Sequence, residues 1–227
     1  MTKFGTILWD FDGTLADTAP DVWASVAYAA AALNATLPAA LTADPSHLSW
    51  PLEQLFQHLK PRPDQRDFAK FDQLVAKHYR TLNTFDQTQL YPGIRDLLRD
   101  LETRGICNVV VSLKPQAALD RIVVNKDWQS LFTAVYGIDW FGPQATKTTA
   151  IRQVLTDTHY PGPFLYIGDS GTDVSAARAN GLLCLGVTYG DGDVTTLRQE
   201  KPWQCVSNVD QLKAKLLGRE QENATGF

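Results

Sequence analysis

The sequence predicts a doubly wound parallel α/β sheet with an inserted α-helical domain. Three observations carry this prediction. A short strand pattern opens the chain at residues 6–11. No strand pattern interrupts residues 19–84. From residue 94 to residue 217, helical and strand patterns alternate. Strands that alternate with helices across short loops indicate a parallel sheet covered by helices on both faces. The expected division is a core of residues 1–16 and 89–227 and a helical domain of residues 17–88.

Each element follows from its residues. Positions 4–11 are rich in strand formers, which gives a strand over 6–11. Residues 19–33 are alanine-rich with helical periodicity, and Thr18 or Pro20 marks the start. A Pro-rich, polar interval at 38–51 precedes amphipathic helices at 52–59 and 67–82. After Tyr91, residues 94–103 read as a helix stopped at Arg104 and Gly105. The β-branched run 106–112 is a buried strand, followed by a helix at 116–125 and a strand at 134–138. A helix at 148–156, a strand at 164–168, a helix at 173–180 and a strand at 183–187 follow, then a strand at 205–206 and a helix at 209–217. The tail from Gly218 is polar and expected to fray.

Composition narrows the function class. A chain of 227 residues can bury a sizeable core, and 44% apolar with 20% charged residues is ordinary for a globular protein. The net charge of −4 gives no support for a nucleic-acid or anionic-membrane surface. Cys107, Cys184 and Cys205 are odd in number and form no CxxC, which reads as buried thiols in a reducing, cytoplasmic setting. Asp10 interrupts the first apolar run, so a signal peptide or membrane span is not expected. Whether the chain is a monomer or a homodimer is not legible.

Chemistry concentrates where strands end, which is where ligands sit in open α/β sheets. Asp10 and Asp12 lie two apart at the end of the first strand, so alternation sends both to one side and Phe11 to the other. Two crowded carboxylates persist if a cation neutralises them, if one is protonated, or if water screens both, as in a solvated strand end. Ser112 ends the 106–112 strand, where its hydroxyl could equally cap the next helix. Asp169 ends the 164–168 strand, and Asp173 lies one helical turn on, a position the helix dipole favours for any carboxylate. Lys147 stands at a helix start, ordinarily a solvated place, and Lys114 competes with it as the cation of such a site. Asp17, Asp21 and Asp191 sit in polar turns and receive no role.

In order and spacing, DFDGTLADT, the VVVS strand, a lone lysine and IGDSGTDVSAARANG resemble the motifs of the haloacid dehalogenase-like superfamily. The resemblance covers nearly the whole chain. The helical insert looks like that superfamily's cap on a Rossmann-like core, and YPGIRDLLRDLETRG looks like the return segment of phosphoglycolate phosphatase-like members. It implies a Mg²⁺-dependent phosphomonoester hydrolase acting on a small phosphorylated metabolite, with phosphoglycolate the family-level choice. By the same resemblance, Asp10 is the nucleophile that becomes an aspartyl phosphate. Asp12 is the acid and then the base, a task that a pKa raised by a neighbouring carboxylate would suit. Ser112 and Lys147 hold the phosphate. Mg²⁺ takes oxygens from Asp10, the Asp12 main-chain carbonyl and Asp169, while Asp173 orients Lys147 or holds a metal-bound water.

The chain departs from the family pattern in three places. Leu113 stands where asparagine is frequent, Thr148 where proline commonly follows the lysine, and Trp50 where a glycine often precedes Pro51-Leu52. Trp50 either narrows the entrance and stacks on a flat substrate, or belongs to the core of the helical domain. Asp12 favours ester chemistry over dehalogenation, because halide leaves without an acid and an alkoxide does not. Phosphomutase, phosphonate hydrolase and a non-catalytic metabolite-binding relative remain the alternatives.

Overall fold

The structure is a computed structural model that describes residues 4–218 apart from 45, 46, 49 and 158. The tail beyond Gly218 lies outside the described residues. Along the chain run β1 (Thr6–Trp9), β2 (Ala16–Asp17), α1 (Ala19–Ala31), α2 (Ala39–Thr42), α3 (Leu52–Gln57), α4 (Phe68–Lys77) and β3 (Gln89–Leu90). Then come α5 (Ile94–Thr103), β4 (Cys107–Ser112), α6 (Gln116–Asn125), β5 (Ala134–Gly137), α7 (Lys147–Thr156), β6 (Phe164–Gly168), α8 (Gly171–Ala179), β7 (Leu183–Val187), α9 (Val194–Gln199), β8 (Gln204–Val206) and α10 (Val209–Leu217).

Six strands form one parallel sheet in the order β5-β4-β1-β6-β7-β8. β1 is central because its four residues are all apolar or small and can be buried on both faces. Ile7 and Trp9 enter the core on one face of the sheet, and Leu8 enters the core on the other. From β1 the chain runs outward to β4 and β5 and then crosses back to β6 on the other side of β1, so a crevice opens beyond the carboxyl end of β1. Register brings the chemistry to that crevice. Trp9 pairs with Val110 on one side and Ile167 on the other, so Ser112 and Asp169 both fall one step beyond Asp10.

β1 ends at Trp9 and not at the expected residue 11. The Asp10 N–H still donates to the Ile167 carbonyl at 2.8 Å, but the Phe11 carbonyl then accepts from the N–H groups of Leu15 and Ala16. That tight turn draws the chain out of the sheet. Gly13 sits in it at φ +68°, a conformation that favours glycine. The 67–82 helix also differs from expectation: α4 stops at Lys77 and a π-helical turn, His78–Leu82, follows. α7 and α8 each begin one or two residues early, because Thr146 and Ser170 cap them from the strand side.

The helical insert has its own apolar cluster, in which Trp23, Val26, Phe56, Leu59, Phe71 and Val75 pack together. Ala29 and Ala30 are fully buried there and let α1 approach α4 closely. Where the chain leaves and re-enters the core, β2 and β3 pair antiparallel, Ala16 with Leu90 and Asp17 with Gln89. Buried Asp21 ties α1 to the return strand by accepting from the Thr88 N–H at 2.6 Å and its hydroxyl at 2.8 Å. The three cysteines are free thiols, but only Cys184 is buried; Cys107 is half-buried and Cys205 exposed, because the short edge strand β8 leaves that side chain at the surface. Among the described residues no helix is long and apolar enough to cross a membrane.

Candidate active site

Carboxylate oxygens of Asp10, Asp169 and Asp173 lie within 4.8 Å of one another beyond the carboxyl ends of β1 and β6. All three side chains are buried. The burial depends on two glycines. A Cβ at Gly13 would stand 2.0 Å from Asp169 Oδ2, and one at Gly168 would stand 2.3 Å from Asp173 Cγ.

Lys147 is the cation of this cluster. Its Nζ lies 3.0 Å from Asp10 Oδ2 and 2.5 Å from Asp173 Oδ1, and its side chain is 7% exposed. The solvated surface lysine that its position at a helix start would ordinarily give is therefore not what forms. Asp173 is held on every side: Tyr166 Oη donates to Oδ1 at 3.2 Å, and the Ser170 N–H and hydroxyl donate to Oδ2 at 3.0 and 2.6 Å. Asp173 thus serves both as the N3 residue of the α8 capping box and as an anchor for Lys147.

The cluster carries more negative charge than one ammonium offsets. Burial pushes Asp10 up to about 7; Lys147 pulls it part of the way back, and Asp173 and Asp12 raise it again. Burial, then the charges of Asp10 and Asp173, push Asp169 up to about 8, although the Gly192 N–H donates to its Oδ2 at 2.9 Å. Hard carboxylate oxygens with unmet negative charge, converging within ion-sharing distance, fit a divalent cation of the magnesium type. The side chain of Asp12 is not one of the converging groups.

Asp12 is turned elsewhere. Its Oδ1 accepts from the Thr18 hydroxyl and lies 2.8 Å from Lys114 Nζ. The carboxylate expected beside it is therefore joined by an ammonium that sequence reasoning had weighed for the other lysine's place. Lys114 is buried and also donates to the hydroxyl of Tyr79. Burial opposes its charge, but Asp12 and Tyr79 outweigh that, and its pKa is raised. The two lysines thus divide the two aspartates of the first motif between them.

These groups surround a cavity of about 260 Å³. Asp10, Asp12, Ser112, Lys147 and Asp169 line its inner part; Thr18, Val22, Leu48, Leu113, Thr172 and Asp191 form its wall. Ser112 does not cap α6, whose N-cap is Pro115 without a side-chain bond; its Oγ accepts from the Lys114 N–H at 3.2 Å and remains in the cavity. Trp50 does not line the cavity. It is half-buried against the insert's cluster with His47 and His58 beside it, ring centroids 4.1 and 5.3 Å away, and neighbouring Leu48 reaches the cavity instead.

The sequence offers Lys114 only for the place that Lys147 takes; its hold on Asp12, that of Thr18 on the same oxygen, and the loop Gly190 to Gly192 were not expected. That loop packs so closely that a Cβ at Gly190 would meet the Gly13 carbonyl at 1.9 Å. It places Asp191 in the wall, where burial, then Asp17 and Asp12, push its pKa up to about 6. The GDGD run after β7 was the available signal, since paired glycines mark close backbone approach.

Comparison with known proteins bears on the family of the chain. The model of the haloacid dehalogenase-like hydrolase family matches residues 7–187. A 5'-nucleotidase of Pseudomonas aeruginosa is 28% identical over 218 residues, which cover 94% of this chain and 96% of that protein. A phosphoglycolate phosphatase of Synechococcus elongatus is 29% identical over 210 residues, covering 92% and 95%. Among solved structures, one described as a predicted phosphatase from Clostridium acetobutylicum aligns with a TM-score of 0.75 at 27% identity, covering 94% of this chain and 98% of that one.

Proposed function

The chain belongs to the haloacid dehalogenase-like hydrolase family, and on that premise we propose that it hydrolyses small phosphomonoesters through an aspartyl phosphate on Asp10. The observation that carries the reading is the placement of Asp10. It lines the cavity together with Asp12 and Asp169, 3.0 Å from the ammonium of Lys147.

The mechanism follows from what each side chain can do there. The phosphoryl group of the ester enters between Asp10, Ser112 and Lys147. The Ser112 hydroxyl donates to one phosphoryl oxygen, and Lys147 offsets charge on another while Asp173 holds its ammonium in place. A carboxylate oxygen of Asp10 attacks phosphorus in line with the leaving oxygen. As the ester P–O bond breaks, Asp12 gives its proton to that oxygen and the alcohol departs. Asp12 then takes a proton from water, which attacks the acyl phosphate and restores Asp10. A magnesium ion held by Asp10, Asp169 and the Asp12 main-chain carbonyl would supply the positive charge that lets a phosphate dianion approach a carboxylate. With an ester seated, the apolar side chains of Val22, Leu48 and Leu113 would help keep bulk water off the reacting groups, which strengthens each charge interaction.

Phosphoglycolate, in the names of several relatives, is the reference ester, although among the described residues the wall of this cavity offers its carboxylate no cation. The free thiols suit a reducing, cytoplasmic setting. The test is turnover of p-nitrophenyl phosphate with and without Mg²⁺, by this protein and by Asp10→Asn. Wild-type turnover should require Mg²⁺ and fall at least about 10³-fold in Asp10→Asn. Equal turnover by both proteins removes Asp10 as nucleophile. Turnover by neither, with Mg²⁺ present, favours the non-catalytic binding relative.

A further inference from the structure

The mechanism above gives no task to Lys114, a buried ammonium beside Asp12. Lys114 follows the strand that supplies Ser112, and its main chain is fixed by the Lys114 N–H on Ser112 Oγ and the Ile138 N–H on the Lys114 carbonyl. Its side chain is 1% exposed, and burying an ammonium that deeply is unfavourable without compensation. The compensation comes from two places. One is Asp12 Oδ1 at 2.8 Å; the other is the hydroxyl of Tyr79. Tyr79 belongs to the π-helical turn of the helical insert, and its ring packs edge-on against Phe85 with centroids 5.4 Å apart. Lys114 is therefore the middle of a chain that runs from the insert to the second aspartate of the active site.

From this geometry we infer that Lys114 is a positioning residue: it fixes the carboxyl group of Asp12 for proton delivery and makes that placement depend on how the helical insert sits. The inference rests on the reading of Asp12 as the acid. Lys114 Nζ and the Thr18 hydroxyl both engage Oδ1. With Oδ1 held, Oδ2 is the oxygen left free to face the cavity, which Asp12 lines. In the first chemical step the Asp10 O–P bond forms, the ester P–O bond breaks with its electron pair going to the leaving oxygen, and the proton on Asp12 passes to that oxygen. Asp12 is then a carboxylate, and the ammonium already in place stabilises it without any rearrangement. Lys114 is buried and does not line the cavity, so its influence would reach the ester through Asp12. Tyr79 fixes the other side of the ammonium. A shift of the insert that withdraws the phenol leaves Lys114 free to move off the axis of Asp12.

A leaving-group comparison tests this. An alkyl phosphate needs its leaving oxygen protonated, whereas p-nitrophenolate departs without a proton. The measured quantity is kcat/KM, which reports the steps up to formation of the aspartyl phosphate. In Lys114→Met, kcat/KM for ethyl phosphate is expected to fall about 10- to 100-fold, within the range of general acid catalysis. The fall for p-nitrophenyl phosphate should be at least fivefold smaller. In an Asp12→Asn background, Lys114→Met should change ethyl phosphate hydrolysis less than twofold, because its target is gone. Tyr79→Phe removes one hydroxyl and keeps the ring, so it guards against a folding defect; it should show the same substrate bias with a smaller loss. Equal losses for both esters, or a full effect of Lys114→Met in the Asp12→Asn background, would overturn the positioning role while leaving the phosphatase reading intact. If wild type hydrolyses neither ester, the phosphatase reading fails and takes this inference with it.

Discussion

Replacing Lys147 by methionine isolates the electrostatics of the site. The substitution keeps an unbranched side chain of similar length and removes the charge. In the structure that charge lies 3.0 Å from Asp10 and 2.5 Å from Asp173, and the Asp173 side chain is fully buried. Asp173 would retain Ser170 and Tyr166 as donors, whereas Asp10 would lose the ammonium that its carboxylate faces. Breaking a buried ion pair from one side costs about 3–5 kcal/mol. Protonation of the stranded carboxylate limits the loss, because holding an aspartate neutral costs about 1.4 kcal/mol for each pH unit above its ordinary value. The limit is therefore near 3 kcal/mol at pH 6 and well above that at pH 8. The sign follows from proton binding. Asp10 already stands at about 7 in the wild type, above the value of 3.8 that it has when unfolded. Removing Lys147 raises it further, so the folded variant binds more protons than the unfolded chain and loses stability as pH rises. Thermal unfolding in chelator should show Tm lowered by roughly 6–20 °C at pH 8, with a smaller deficit at pH 6. Excess Mg²⁺ should recover part of the deficit at pH 8, and kcat should fall about 10²- to 10³-fold. A Tm within 2 °C of wild type at pH 8 without metal (roughly 1 kcal/mol or less), or a deficit that grows as pH falls, would refute the view that Lys147 offsets buried negative charge.

Three further outcomes follow from other parts of the molecule. Gly13→Ala would bring a methyl group 2.0 Å from Asp169 Oδ2 at a φ of +68°, so Mg²⁺ affinity measured by calorimetry should drop by at least about tenfold, and unchanged affinity would count against Asp169 as a ligand. The wall presents Val22, Leu48, Leu113 and Asp191 to the alcohol half of the ester, so 2-hydroxyethyl phosphate should exceed its carboxylate counterpart, 2-phosphoglycolate, by about tenfold in kcat/KM; the reverse order would show that the wall compensates an anion. Asp21→Ala leaves the Thr88 N–H and hydroxyl without their acceptor, and should destabilise the join between the insert and the core by about 1–3 kcal/mol. Hydrogen exchange should then accelerate around residues 85–90 before it does so in the sheet.

The fold was legible because its signals are local. The β-branched run at 106–112 and the glycine-bounded helices near residues 105 and 181 state their own conformation, and alternation with helices leaves few arrangements other than a parallel sheet. The first motif was legible for the same reason: Asp10 and Asp12 lie two apart, and both reach the cavity with Phe11 in the core, although the strand ends before either. What escaped was short or distant. β2 and β3 have two residues each, too few to show a period, and they exist only because the chain returns to pair with itself. The exit from β1 at Trp9 depends on the turn closed by the Phe11 carbonyl, which no alternation pattern reports.

The two lysines mark the boundary most clearly. Sequence alone put an acidic pair, a hydroxyl, a second acidic pair and a cation at strand ends or helix starts, from which they can converge on one crevice. It offered Lys147 as the cation of that crevice and Lys114 as its competitor. Tertiary structure decided that both are used, Lys147 for Asp10 and Asp173 and Lys114 for Asp12. The physical reason is that a long flexible side chain carries its charge far from its backbone. The position where an ammonium comes to rest is set by carboxylates and hydroxyls supplied by other segments, and the Tyr79 hydroxyl, from the helical insert between β2 and β3, is one of them.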